Sequence, residues 1–570
     1  MPMIITRNYL PALFLVSFIV FTSCVRDRSD RIQLEIPAPE FIGNTNKSLS
    51  EAERLNWYMR DIFLDTIPGI SLNRAYEEGL VKNDGDTVVV AVLDMTIDIS
   101  HEDLSDFIWR NKGEIAENGI DDDGNGYVDD THGWNFIGWE NGRSSEFVNY
   151  EYTRILRSYD SIFDQKEEVE IEENFLGEFN QYKRAKKAYE EQMTYARGEV
   201  ENARAVTAMN TENKAILSKY IGETDLSLEI LDSLRNAHPN EADLIGAIEL
   251  REELLTYGIY ESQIIEDELK AEERINKLLN LNYNDREAIG DLYPEDLIFN
   301  QYGNSKVDYN TSLLDHGTSV AGVIAANRHN EIGAIGITNS VKIMPLSISA
   351  YGDEHDKDIA LAIRYAVDNG ASIINMSSGK SFSLHKKWIQ DAIRHAAEKD
   401  VLIITSAGND GLNLDDKQNF NFPNDTDENY KEISSNFIKV GSTTPLLGIN
   451  LYDVQSNYGS REVDIFAPGK DIYTLMPNND YKYRSGTSFA APVVAGVAAL
   501  LRSYYPGLSA EEVKSIILKS GIEYNIMVNL NEDEEEEQLV PFNSLSKSGR
   551  IVNAYYALKY AEAYGNDQKN

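Results

Sequence analysis

Thr87-Val88-Val89-Val90-Ala91-Val92-Leu93-Asp94 decides the fold. A strand with one wet face alternates apolar and polar residues; this run does not alternate. It reads as a β-branched strand buried on both faces, and it ends on a carboxylate. Similar runs return at Val341–Ile348, Ser372–Met376, Val401–Ser406, Phe437–Val440 and Val463–Phe466. Helical patterns lie between several of them, as in Asp358-Ile359-Ala360-Leu361-Ala362-Ile363-Arg364-Tyr365-Ala366. Strands alternating with helices imply an α/β fold with a mainly parallel sheet covered on both faces. Functional residues of such folds gather at the carboxyl ends of the strands, where Asp94 and Asn409 fall.

Residues 141–300 have another character. They are rich in Glu, Lys, Ala and Tyr and poor in strand signals. Phe175, Phe179, Tyr182, Tyr189 and Met193 share a helical face; Leu244, Ile248, Leu254 and Leu255 form a second pattern. Ile264, Ile265, Leu269, Ile275 and Leu278 form a third. The stretch reads as an inserted helical subdomain whose stripes are core.

Composition narrows the partners. The chain has 570 residues, 42% of them apolar, and a formal net charge of −41. Such an acidic surface repels phosphate backbones, which argues against a nucleic-acid partner. Its one cysteine, Cys24, allows no intrachain disulfide. Arg7 precedes an apolar stretch from Tyr9 to Phe21, shorter than the ~20 residues that span a bilayer. Phe21-Thr22-Ser23-Cys24 then resembles a bacterial lipobox, where the leader is cut before the cysteine and lipid joins its sulfur. The expected organisation is a leader over 1–23 and a tether over 24–64. A catalytic domain in two parts, 65–140 and 301–565, flanks the helical insertion 141–300. The expected location is the bacterial cell envelope, held to the membrane by the Cys24 lipid.

Four separated motifs carry chemistry. Ser488 lies in Ser485-Gly486-Thr487-Ser488-Phe489-Ala490-Ala491-Pro492, at the start of a helical run with free amide donors beside it. His316, in Asp315-His316-Gly317-Thr318-Ser319, is one of 8 histidines and suits proton transfer near neutral pH. Asp94, at the end of a buried strand, needs a partner to offset its desolvation. The Asn409 amide, in Ser406-Ala407-Gly408-Asn409-Asp410, could meet a developing oxyanion with the Ser488 N–H.

These four strings, in the order Asp, His, Ser, resemble the subtilase family of serine peptidases. The resemblance implies a three-layer α/β/α fold and hydrolysis of peptide bonds in protein or peptide substrates, with Asp94, His316 and Ser488 as triad. It also implies that Ser377, Ser378 and Gly379 form an edge that pairs with an extended substrate. The pattern departs at Met95-Thr96, where a small hydroxyl residue and Gly are usual, and at Ser319, often a second His. The first departure motivates a different reading, a catalytically silent relative that binds through its cleft or its insertion.

Asp121, Asp123 and Asn125 sit at alternate positions in Asp121-Asp122-Asp123-Gly124-Asn125-Gly126-Tyr127-Val128-Asp129-Asp130. They match the first half of a calcium loop, with Asp129 or Asp130 in place of the usual terminal Glu. The expectation is a structural Ca²⁺ on Asp121, Asp123, Asn125 and Asp129; the alternative is an acidic turn without an ion.

Overall fold

The computed structural model describes residues 34–39, 49–82, 85–221, 227–294, 296–298, 302–309, 312–427, 429–531 and 537–567. The leader and Cys24 lie outside the described residues. In chain order, the first seven strands are β1 (Val88–Asp94), β2 (Trp134–Asn135), β3 (Val341–Ser347), β4 (Ile373–Met376), β5 (Leu402–Ser406), β6 (Phe437–Thr443) and β7 (Ile465–Pro468). A hairpin, β8 (Ile472–Met476) and β9 (Asp480–Arg484), follows. The short strands β10 (Ile522–Glu523), β11 (Met527–Asn529), β12 (Leu539–Pro541) and β13 (Arg550–Ile551) complete the set.

The main sheet runs β10-β13-β7-β6-β5-β4-β1-β3-β2, and only the β10–β13 pair is antiparallel. Strand β1 is central, with β3 on one side and β4 on the other. Its side chains divide as the unbroken apolar run requires. Val88, Val90 and Val92 enter one core; Ala91 and Leu93 enter the other.

The principal helices are α1 (Glu151–Phe163), α2 (Leu176–Ile221), α3 (Leu228–Ala237), α4 (Ala242–Thr256) and α5 (Glu261–Glu273), then α6 (Leu314–Ala325), α7 (Asp356–Asp368) and α8 (Lys386–Glu398). Three more close the chain: α9 (Thr487–Tyr504), α10 (Ala510–Ser520) and α11 (Ala554–Asp567). Helices α6, α9, α10 and α11 share the core with Val88, Val90 and Val92. Helices α7 and α8 cover the opposite face with Ala91 and Leu93. This is the three-layer α/β/α arrangement. Helix α9 meets the length and apolarity of a membrane span, but 83% of that window is buried, so it is a core helix.

Helices α1 to α5 occupy the stretch read as an insertion. Helix α2 has 46 residues, a length of ~69 Å at 1.5 Å per residue. Phe179 and Tyr182 are buried and Tyr189 and Met193 partly so, but Phe175 is 47% exposed. Ile265 and Leu269 are exposed too, although they share the helical period of buried Ile264. Periodicity marks a common face without saying that anything covers it.

Candidate active site

The sheet order lays the loops after β5, β4, β1 and β3 side by side at one edge. The cleft there, about 340 Å³, is lined by Asp94, His316, Ser377, Ser378, Gly379, Asn409 and Ser488, among others. Residues far apart along the chain are thus brought to one place.

Asp94 is buried at the end of β1, and its Oδ1 lies 2.7 Å from His316 Nδ1. The same oxygen accepts the Met95 N–H at 2.8 Å. Burial alone would disfavour the imidazolium, but the Asp94 carboxylate and its hydrogen bond outweigh it. The His316 pKa is raised. His316 stands at the start of α6, where Gly317 lets that helix approach the acid's loop; a Cβ there would lie 2.8 Å from the Thr96 carbonyl oxygen.

Ser488 is the second residue of α9, so its N–H has no acceptor within the helix. Its hydroxyl donates to the Ser377 carbonyl at 3.0 Å. Among the described residues no hydrogen bond joins Ser488 to His316, although the His316 ring lies 5.6 Å from that of the adjoining Phe489. The Ser488 hydroxyl is thus engaged by the Ser377 carbonyl and not by the imidazole.

Asn409 is oriented from behind. Its Oδ1 accepts the Thr487 N–H at 2.8 Å and the Thr487 hydroxyl at 2.9 Å. With the oxygen so occupied, the Nδ2 donors are left for the cleft. Gly486 makes this approach possible: its φ is +130°, and a Cβ would come within 3.2 Å of Asn409 Oδ1.

Pro492 explains a further contact. In an α-helix the Ser488 carbonyl would accept from the N–H of residue 492, which proline lacks. The Ser377 hydroxyl supplies the missing donor at 2.7 Å. Ser377 and Ser488 thus bind one another reciprocally, hydroxyl to carbonyl in each direction.

The sequence model of the Subtilase family matches residues 85–539. The chain belongs to the subtilase family. It is 36% identical over 222 residues to the cell wall-associated protease of Bacillus subtilis (strain 168), covering 38% of this chain and 23% of that protein. It is 32% identical over 253 residues to the thermophilic serine proteinase of Bacillus sp. (strain AK1), covering 44% of this chain and 53% of that protein. It is 34% identical over 246 residues to thermitase of Thermoactinomyces vulgaris, covering 43% of this chain and 75% of that protein. The chain therefore spans about a quarter and about half of the first two relatives.

The subtilase departures have local accounts. Thr96 is buried, and neither its hydroxyl nor Asp94 Oδ2 has a hydrogen-bond partner among the described residues. Ser319 donates to the Leu475 carbonyl at 2.7 Å, and Thr474 donates to the Ser319 carbonyl at 2.7 Å. That position of this subtilase ties α6 to β8.

The expected calcium residues coincide only in part with the acidic group that converges at this loop. Asp121 accepts the N–H groups of Gly124, Asn125 and Gly126, and Asp129 accepts those of Asn118 and Gly119. Backbone donors thus engage both carboxylates, and Asn125 Nδ2 donates to Asp130 at 2.9 Å. The group that converges is Glu114, Asp123 and Asp130, with one oxygen from each within 4.8 Å of the others. Glu114 Oε2 is buried without a partner among the described residues. Burial, together with neighbouring carboxylates, raises the pKa of Glu114 and of Asp130. Three oxygen donors crowded against their mutual repulsion fit a hard dication. Of the four expected ligands, only Asp123 belongs to that group.

Proposed function

We propose that this chain is an endopeptidase that hydrolyses peptide bonds in proteins or peptides through Asp94, His316 and Ser488. The single observation that carries the reading is the buried Asp94 carboxylate bonded to His316 Nδ1 in the cleft that also holds Ser488. Asp94 fixes the tautomer that leaves Nε2 as the base and stabilises the imidazolium once the Ser488 proton arrives. The Ser488 N–H and Asn409 Nδ2 would meet the oxyanion, and Ser377-Ser378-Gly379 would pair with the extended substrate. A fluorophosphonate should label Ser488 and end cleavage of a protein substrate; Ser488→Ala should abolish both. Cleavage persisting in that variant would refute the assignment.

Two further parts belong to the proposal. Glu114, Asp123 and Asp130 would hold a structural Ca²⁺, with no part in the chemistry. The leader and Cys24 would export the protein to the bacterial envelope and anchor it there by lipid, since each buried CH₂ adds ~0.8 kcal/mol of membrane affinity. Cys24→Ser should release it from the membrane fraction, and unchanged association would count against the anchor.

A further inference from the structure

Two cavities meet at Gly352. One is the catalytic cleft; the other, about 390 Å³, lies between the helical insertion and the segment after β3. Gly352 lines both. The chain at Tyr351 and Gly352 is held to the segment that leads into α1. The Tyr351 N–H donates to the Glu146 carbonyl, and the Val148 N–H to the Tyr351 carbonyl, each at 2.9 Å. Gly352 has φ +123°, and a Cβ there would lie 2.1 Å from the Val148 carbonyl oxygen. No side chain fits at this junction.

The second cavity has an aromatic wall beside four charged residues, of which Asp267 accepts from Gln263 Nε2 at 2.8 Å. The rings of Phe147 and Tyr351 lie 5.5 Å apart on its wall, with Tyr150 beside them. Its cations are already engaged. Arg274 pairs with Glu199 and Lys270 with Glu266, each at 2.7 Å. A ligand therefore need not bring charge. The insertion also abandons α geometry here: Arg274–Leu278 forms a π turn, and its first and last residues both line the cavity. Such turns interrupt helices mostly at functional sites.

We propose that this cavity is a distal substrate pocket. It receives an aromatic or large aliphatic side chain of the same extended polypeptide whose scissile bond lies at Ser488. The inference rests on the endopeptidase reading and adds to it a task for the insertion. Asp94, His316 and Ser488 do not line this pocket, so the residue it receives is distal to the cleaved bond. The insertion thereby selects long substrates, and short peptides escape it.

The test compares kcat/KM of the full chain on a short chromogenic peptide and on long peptides carrying Phe or Ser at each distal position in turn. One distal position should favour Phe by about tenfold, mostly through KM. Ala271→Trp fills the cavity from α5, and Tyr351→Ala strips its wall. Each should bring the Phe-to-Ser ratio near one, and as a ratio it is insensitive to the fraction of folded enzyme. No distal preference in the unaltered protein, or a ratio that survives both variants, overturns the pocket. Failure to cleave even the short peptide, with Ser488 unlabelled, overturns the endopeptidase reading instead.

Discussion

Ser377→Ala tests how the nucleophile is held. The hydroxyl it removes makes two bonds, donating to the Ser488 carbonyl at 2.7 Å and accepting from Asn375 Nδ2 at 3.0 Å. Each is worth about 1 kcal/mol, so the variant should lose about 2 kcal/mol of stability. The two losses can be separated. Pro492→Ala restores an N–H four residues after Ser488, which the orphaned carbonyl can accept. Combined with Ser377→Ala, it should recover about 1 kcal/mol, leaving the Asn375 share unrepaired. Denaturant titration of the four variants of this cycle, in a Ser488→Ala background that prevents self-digestion, measures the coupling. In the active background kcat should fall with Ser377→Ala and rise again in the double variant, since the Ser488 hydroxyl and N–H ride on the same turn. Additivity within about 0.5 kcal/mol would show that Ser377 does not replace the donor that Pro492 lacks.

Three other outcomes follow from the site. Asn409→Leu should lower kcat about 10²–10³-fold with little change in KM, a range that comes from subtilisin itself and is carried over through the family; an unchanged kcat would remove Asn409 from the oxyanion site. Because the raised pKa of His316 must be passed before it becomes a free base, the acid limb of kcat/KM should have its midpoint above about 6.5. Asp94→Asn should move that midpoint down while slowing turnover, and a midpoint that stays put would mean Asp94 does not set it. Added Ca²⁺ should raise the melting temperature, by the equivalent of about 2.7 kcal/mol at a hundredfold excess over Kd, with no gain in Asp123→Asn; melts identical with EDTA and with Ca²⁺ would reject the site.

The parts legible in the sequence share a physical reason. β1 could be read because burial on both faces removes alternation, and Asp94 stood out because a carboxylate ending such a strand needs a partner. His316, Asn409 and Ser488 could be read because each sits in a short string with its own backbone demands, such as the positive φ of Gly486. The calcium set is legible only as an expectation, because spacing within one loop does not show which carboxylates converge; of its four residues only Asp123 belongs to the acidic group that does. Loop N–H groups bond to Asp121 and Asp129 and equally to Glu114 and Asp123, so only convergence in space picks out Glu114, which enters from before the loop. Thr487 and Pro492 lay inside a quoted motif, yet their roles depend on Asn409 and Ser377, contacts made only on folding.

How the insertion meets the cleft also depends on contacts between distant segments. Lys380 directly follows the cleft-lining residues Ser377, Ser378 and Gly379 and is fully buried, 2.7 Å from Asp356 and 3.1 Å from Glu151 of α1. Burial opposes the Glu151 charge, but Arg154 and Lys380 outweigh it and hold its pKa low. Next along the chain, Arg184 of α2 donates to the Ser381 carbonyl at 2.9 Å and lies over the rings of Phe382 and Phe420. That burial pushes its pKa down to about 10. Gln181 donates to the Ser383 carbonyl at 2.8 Å. Buried ion pairs add little net stability against an apolar junction, yet removing one partner costs about 3–5 kcal/mol. Their effect here is registry. Sliding α1 or α2 along residues 380–383 would strand buried charge, so the insertion holds this wall of the cleft in place from its far end.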